Sequence, residues 1–130
     1  MRAAAVSNQA FGDVYEQPQA AEGRPPIDLV HLARATDGDE ALESELLAMF
    51  DLQSAKLAER LTFADLPRRA RADIAHRLRG SALAIGAFAV AEAAAALESA
   101  FEGQGETEAA LAALAKAVAQ ARAVIAALAV

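Results

Sequence analysis

The reading of this chain turns on the stretch Ile74-Ala75-His76-Arg77-Leu78-Arg79-Gly80-Ser81-Ala82-Leu83-Ala84-Ile85-Gly86. At 3.6 residues per turn, Ile74, Leu78, Ser81 and Ile85 fall on one stripe of a helix. Three of the four are large and apolar, so this stripe is the buried one. With about 100° between successive residues, His76 lies nearly opposite and faces away from the core. Its face also holds Arg69, Ala72, Asp73, Arg79, Gly80 and Leu83, with Arg77 at the border. Gly80 sits one turn after His76. A glycine inside a helix costs roughly 1 kcal/mol relative to alanine, and here it leaves open space beside the imidazole. Arg79, three residues on, is within side-chain reach of the ring, where a guanidinium balances a dianion held on a ring nitrogen.

Outward from this helix, which the pattern predicts over 66–84, the chain reads as further helices. Asp65 and Pro67 start it, and Gly86 marks a break or a close contact. Upstream, a long helix is expected over 40–63, with Leu47, Phe50, Leu57 and Leu61 as its stripe and Leu42 and Leu46 in support. Glu40, Glu43 and Glu45 lie near its positive dipole end. The turn Thr36-Asp37-Gly38-Asp39 carries an N-cap signal for it. A short helix is expected over 27–35, behind the punctuation Gly23-Arg24-Pro25-Pro26. Downstream, an alanine-rich helix is expected over 88–101, then a loop at Glu102-Gly103-Gln104-Gly105. A last helix, over 107–128, spaces Leu111, Leu114, Val118, Ala121, Ile125 and Leu128 by alternating threes and fours, the seam of a left-handed bundle. Residues 1–24 show no sustained period and read as a flexible N-terminal tail. Residues 25–130 form the predicted domain. The fold class is all-α, an up-down-up-down four-helix bundle with a short additional N-terminal helix.

Composition agrees. Of 130 residues, 55% are hydrophobic and only 5% aromatic, which suits closely packed Ala- and Leu-rich helices rather than sheets. No cysteine is present, so disulfides and thiolate metal sites are excluded. The net charge of −6 argues against nucleic acid as a partner. No uninterrupted apolar run reaches ~20 residues. The nearest, 109–130, is broken by Lys116, Gln120 and Arg122, so no membrane span is expected and the protein is read as cytoplasmic. Against the acidic total, Arg68, Arg69, Arg71, Arg77 and Arg79 form a basic cluster around His76. Two histidines and a lone Asp73-x-x-His76 pair do not make a carboxylate di-metal ligand set, so no metal is assigned. His31 reads as structural. Gly103-Gln104-Gly105 is too short for a phosphate loop.

These residue types at this spacing resemble the histidine-containing phosphotransfer (HPt) domain family. That family carries a phosphorylatable His, a Lys or Arg three residues later, a Gly four later, a small residue five later and often a Gly ten later. His76, Arg79, Gly80, Ser81 and Gly86 match each position, with arginine where lysine is more usual. Arginine keeps the charge but changes the geometry. The family architecture is also a four-helix bundle, and the Ile27-Asp28-Leu29 start, the Asp37-Gly38-Asp39 turn and the Leu97-Glu98 pair look similar in pattern. The resemblance implies a stand-alone phosphotransfer protein of a two-component phosphorelay. His76 would accept a phosphoryl group from a receiver-domain aspartate and pass it to another. Arg79 would stabilise the group and Gly80 give it access. Arg69, Ala72, Asp73, Arg77 and Leu83 would meet the partner. The implied partners are response-regulator receiver domains or a hybrid histidine kinase, with the chain itself a monomer. It would be a phosphohistidine carrier with no ATP-dependent kinase activity. No cofactor is expected, since Mg2+ would belong to the receiver.

Two other readings compete. A histidine-kinase dimerisation element also carries His followed by Leu-Arg. There, however, an acidic residue usually follows the histidine and a proline lies a few positions on, whereas here Arg77 follows and no proline occurs after Pro67. A non-catalytic bundle that only binds a receiver is the third.

Overall fold

The computed structural model describes residues 24–103 and 106–129. Among them are five α-helices and no strands: α1 (Leu29–Ala35), α2 (Glu40–Arg60), α3 (Arg68–Ile85), α4 (Phe88–Phe101) and α5 (Thr107–Leu128). The helices α2 to α5 pack in a ring, each against its neighbours in sequence, with α5 closing onto α2. Short connections make successive helices antiparallel, which is the up-down-up-down arrangement. The short α1 lies across α3 and α2.

Local chemistry sets the boundaries. Asp28 caps α1 by accepting a hydrogen bond from the His31 N–H at 3.0 Å, so this helix begins two residues later than its apolar pattern suggested. Asp39 caps α2 in the same way through Leu42 N–H at 3.1 Å, after a turn in which Asp37 and Gly38 both have positive φ. That turn is held by Thr36, whose one hydroxyl proton is shared between Leu32 O at 3.0 Å and a Glu43 carboxylate oxygen at 3.1 Å. α2 ends at Arg60 rather than near Phe63, because the Thr62 hydroxyl bonds back to Glu59 O and the backbone turns there. α3 starts at Arg68, two residues later than expected. Leu66 precedes a proline, and that position disfavours helical φ/ψ. α4 and α5 have the bounds the sequence predicts.

The core is one cluster drawn from every helix, with Leu32, Leu61, Leu78, Leu97 and Leu114 fully enclosed. The α2 stripe is buried at Leu47, Phe50, Leu57 and Leu61 and is completed by Ser54. Leu42, assigned to support it, is exposed, as is Leu128 at the end of α5. α3 and α4 form the most extensive helix pair. Alanines make this possible: Ala72, Ala75 and Ala82 on α3 and Ala91, Ala94 and Ala100 on α4 are all buried, so the two backbones come close. The buried arc of α3 is therefore wider than the Ile74–Leu78–Ile85 stripe. By length and composition alone α5 is apolar enough to cross a membrane. In the bundle it buries Leu114, Ala117, Val118, Ala121 and Ile125, and Arg122 pairs with Asp51 of α2 at 2.8 Å.

Gly86 joins three elements. It ends α3 in the left-handed conformation, with φ of 85°, and its carbonyl accepts from Asp28 N–H at 2.9 Å. A Cβ there would lie 2.8 Å from Asp28 O and 3.3 Å from the His31 ring. Both expectations for this glycine, a break and a close contact, are met at one residue. His31 is half-buried and packs edge-on against Phe88, with ring centroids 5.1 Å apart, which suits its structural assignment.

The predicted tail of residues 1–24 lies outside the described residues except for Arg24, as do Gln104 and Gly105 of the predicted loop. Arg24 itself is tied to the bundle. Its two terminal nitrogens donate to the two oxygens of Glu92 on α4, at 2.8 and 2.7 Å.

Candidate functional site

The middle of α3 presents His76 to solvent. The core stripe behind it fixes the rotation of the helix, and the His76 side chain is 64% exposed. The ring is nonetheless oriented. Its Nδ1 lies 3.3 and 3.2 Å from the two carboxylate oxygens of Glu98 on α4, a side chain only 22% exposed. A carboxylate only accepts, so Nδ1 is the nitrogen that donates a proton to this contact. Nε2 has no hydrogen-bond partner among the described residues. The outcome is one oriented imidazole with one nitrogen engaged and the other available.

The space beside the ring is open. A Cβ built on Gly80 meets no atom within 4 Å beyond the helix's own backbone. Arg79 and Arg77 are exposed, one turn or less from His76, and form no ion pair with any described residue; nor does Arg69. Asp73 is exposed on the same face. Leu83 is 40% exposed. With Arg79 it lines a shallow groove of about 270 Å³, whose other walls are Arg24, Phe88, Ala91, Glu92 and Ala95. The groove runs between α3 and α4, from the neighbourhood of the His76–Glu98 pair towards the α3–α4 turn.

The site differs from its sequence reading in two ways. Ala72 is not on the exposed face; it is buried, with 6% of its surface accessible. It lies between Arg68 and His76, one turn away on either side. Both of those side chains reach across to α4, so a methyl group between them is covered. The basic cluster is also smaller than five arginines. Arg68 donates to Phe101 O at 3.2 Å and Ala100 O at 2.8 Å, at the end of α4. Arg71 donates to Leu61 O at 2.7 Å, at the end of α2, and lies 4.5 Å from the centre of the Phe101 ring. Both donate to carbonyls at helix C-terminal ends, where the intrahelical ladder runs out, Ala100 O also accepting from Gly103 N–H at 3.0 Å, so they close the bundle. The cations that remain available beside His76 are Arg69, Arg77 and Arg79.

Beyond the Leu97-Glu98 pair, the local sequence gives Glu98 no role at the site, because a contact between residues 22 apart on different helices leaves no trace in local periodicity. The heptad-like phase of α4 was the available signal. Buried Leu97 sets the rotation of α4, and the adjacent Glu98 then falls at the edge of the α3–α4 seam.

Chemically, this arrangement leaves a ring nitrogen able to act as a nucleophile. Among the described residues no group of three or more His, Asp or Glu side chains is placed to hold a metal ion. No protein-family model matches the chain, and neither a curated protein nor a solved structure matches it.

Proposed function

We propose that this protein is a histidine phosphotransfer protein of the HPt type, carrying a phosphoryl group on His76 between the aspartates of response-regulator receiver domains. The observation that carries the reading is the combination at one point on α3: an exposed imidazole held through Nδ1 by Glu98, a vacant position at Gly80 and, at Arg79, an exposed guanidinium with no ion pair among the described residues.

The chemistry follows from that arrangement. The Nε2 lone pair attacks the phosphorus of an acyl phosphate on the partner. The P–N bond forms, and the P–O bond to the partner's aspartate breaks. The carboxylate leaves with the bonding electrons. As positive charge develops on the ring, the Glu98 carboxylate faces it at Nδ1. Phosphoryl transfer of this kind depends on positioning and charge neutralisation more than on acid–base help. Arg79, with Arg77 and Arg69 nearby, neutralises the phosphoryl oxygens, and Gly80 leaves them room. The reverse step delivers the group to a second receiver aspartate. Asp73, Arg77, Arg69 and Leu83 border the area the partner would cover, while Ala72 does not. A chain that closes a four-helix bundle alone needs no second copy to bury its core, which favours this reading over a histidine-kinase dimerisation element.

The test is transfer of radiolabelled phosphate from a phosphorylated receiver domain. Wild-type protein is expected to take up label in an acid-labile, base-stable bond, and His76→Gln to take up none. Equal labelling of the two proteins would sink the proposal. A receiver that binds without passing label would identify a binding module instead.

A further inference from the structure

The outer face of α2 carries apolar side chains that the bundle does not use. Leu52 and Met49 are 67% and 65% exposed, the most exposed large apolar side chains among the described residues. They belong to the row Leu42, Glu45, Met49, Leu52, Lys56 and Glu59, every member of which is exposed. Its spacing alternates threes and fours, as in the seam of a coiled coil. The core side of α2, with Leu47, Phe50, Ser54 and Leu57 buried, is a separate face. Ala48 and Ala55 flank the row on the side where Asp51 meets α5, and side chains this small let another helix lie close.

The row complements itself when reversed. A two-fold axis passing between Phe50 and Asp51 sets Met49 against Leu52 of a second, antiparallel copy and Glu45 against Lys56, each contact being made twice. An isologous contact requires this self-complementarity. A parallel pairing would instead set Glu45 on Glu45 and Lys56 on Lys56. At the ends, Leu42 meets Glu59 and Arg60, whose methylene stems can cover it. The charges of the face cancel, Glu45 and Glu59 against Lys56 and Arg60, although the whole chain has a net charge of −6. None of the four is in an ion pair among the described residues. Of the charges around the row, Glu43 is bonded to Thr36 and Asp51 to Arg122. Asp73 and Arg77, which the phase of α3 turns towards α2, have opposite signs, and Glu40 lies beyond the end of the row.

We infer that two copies of this chain associate through the outer face of α2, antiparallel, with Met49 on Leu52 at the centre and Glu45 on Lys56 to either side. Contact through one helix of each copy is smaller than a standard interface, so the dimer is weak and reversible. It replaces the monomer that the family resemblance implies. Each copy already closes its own bundle, so the contact joins two complete bundles. α2 lies across the ring from α4, so the His76–Glu98 contact is no part of this surface, and neither the dimer nor the phosphotransfer reading rests on the other.

The test is analytical ultracentrifugation of the full-length protein over roughly 10 µM to 1 mM. The mass is expected to climb reversibly from that of one chain towards that of two. Leu52→Lys, at an exposed position, is expected to keep the helix content and melting temperature of wild type and to remain a single chain throughout. Glu45→Lys alone and Lys56→Glu alone each set like charges together at two places and are expected to raise the half-dimer concentration about tenfold. Mixing the two single variants, or combining both changes in one chain, is expected to restore association. Glu45 and Lys56 are eleven residues apart, about 16 Å along the helix and too far to pair within one chain, so rescue reports contact between copies. A single-chain mass at the highest concentration overturns the inference, as does a mass that grows past two chains. So does association that Leu52→Lys leaves intact, or that the charge variants weaken without rescuing one another.

Discussion

Gly80 and Gly86 lie six residues apart at the middle and the end of one helix, and the two regions around them are built on opposite terms. Around Gly86 everything is filled. The residue takes a left-handed φ, its carbonyl is bonded to Asp28, and a methyl group would collide with the backbone of the segment before α1. Around Gly80 nothing is filled; the helix continues through it and a methyl group would meet only solvent. The first glycine is required by the fold. The second is tolerated by it at a cost, since an exposed helical glycine is replaceable by alanine with a gain in stability. Gly80 therefore leaves a vacancy beside His76 that a side chain would narrow. The arginines of α3 divide in the same way. Arg68 and Arg71 bind carbonyls at the ends of α4 and α2, while Arg77 and Arg79 pair with no acid among the described residues.

The contrast can be broken most forcefully at the closed joint. Gly86→Ala adds left-handed strain and a backbone clash and is expected to destabilise the bundle by roughly 2–4 kcal/mol, measured by urea denaturation. A neutral result would mean that the α1–α3 junction is loose. Arg71→Ala removes the bonds to Leu61 O and the stacking on Phe101. The expected loss is about 1–2 kcal/mol, with transfer from a receiver unchanged, and a stability like that of wild type would return Arg71 to the basic cluster. Gly80→Ala reverses the sign. It is expected to stabilise the protein by about 0.5–1 kcal/mol while slowing uptake of label on His76. A variant both more stable and equally fast would show that the gap has no bearing on transfer. The smallest effect belongs to Arg77→Ala, which should change stability by less than about 0.5 kcal/mol and slow uptake in a salt-dependent way. Denaturation and stopped-flow transfer at two salt concentrations separate the two quantities.

Much of this molecule was legible in one dimension. The 3.6-residue stripe Ile74–Leu78–Ile85 sets the rotation of α3, and rotation alone turns His76 outward. The caps Asp28 and Asp39 and the breaks at Pro67 and Gly86 are short-range features in which a side chain or a ring acts on backbone within a few residues. Where local signals competed, the expected boundaries slipped by two or three residues, as at Thr62 and Leu66. Ala72 was misplaced because a helical wheel measures angle and not cover. Its exposure is decided by Arg68 and His76 reaching across to α4, to partners 33, 32 and 22 residues away in sequence.

Local periodicity and capping thus determined the number of helices, their order and the outward face of the one that matters, because those depend on interactions within a turn or two of chain. Tertiary structure decided which arginines bind helix-end carbonyls, which imidazole nitrogen is engaged and that Arg24 is clamped on Glu92. Each of those depends on a side chain meeting a partner from another helix, and only the close packing of α3 on α4 brings such partners within reach.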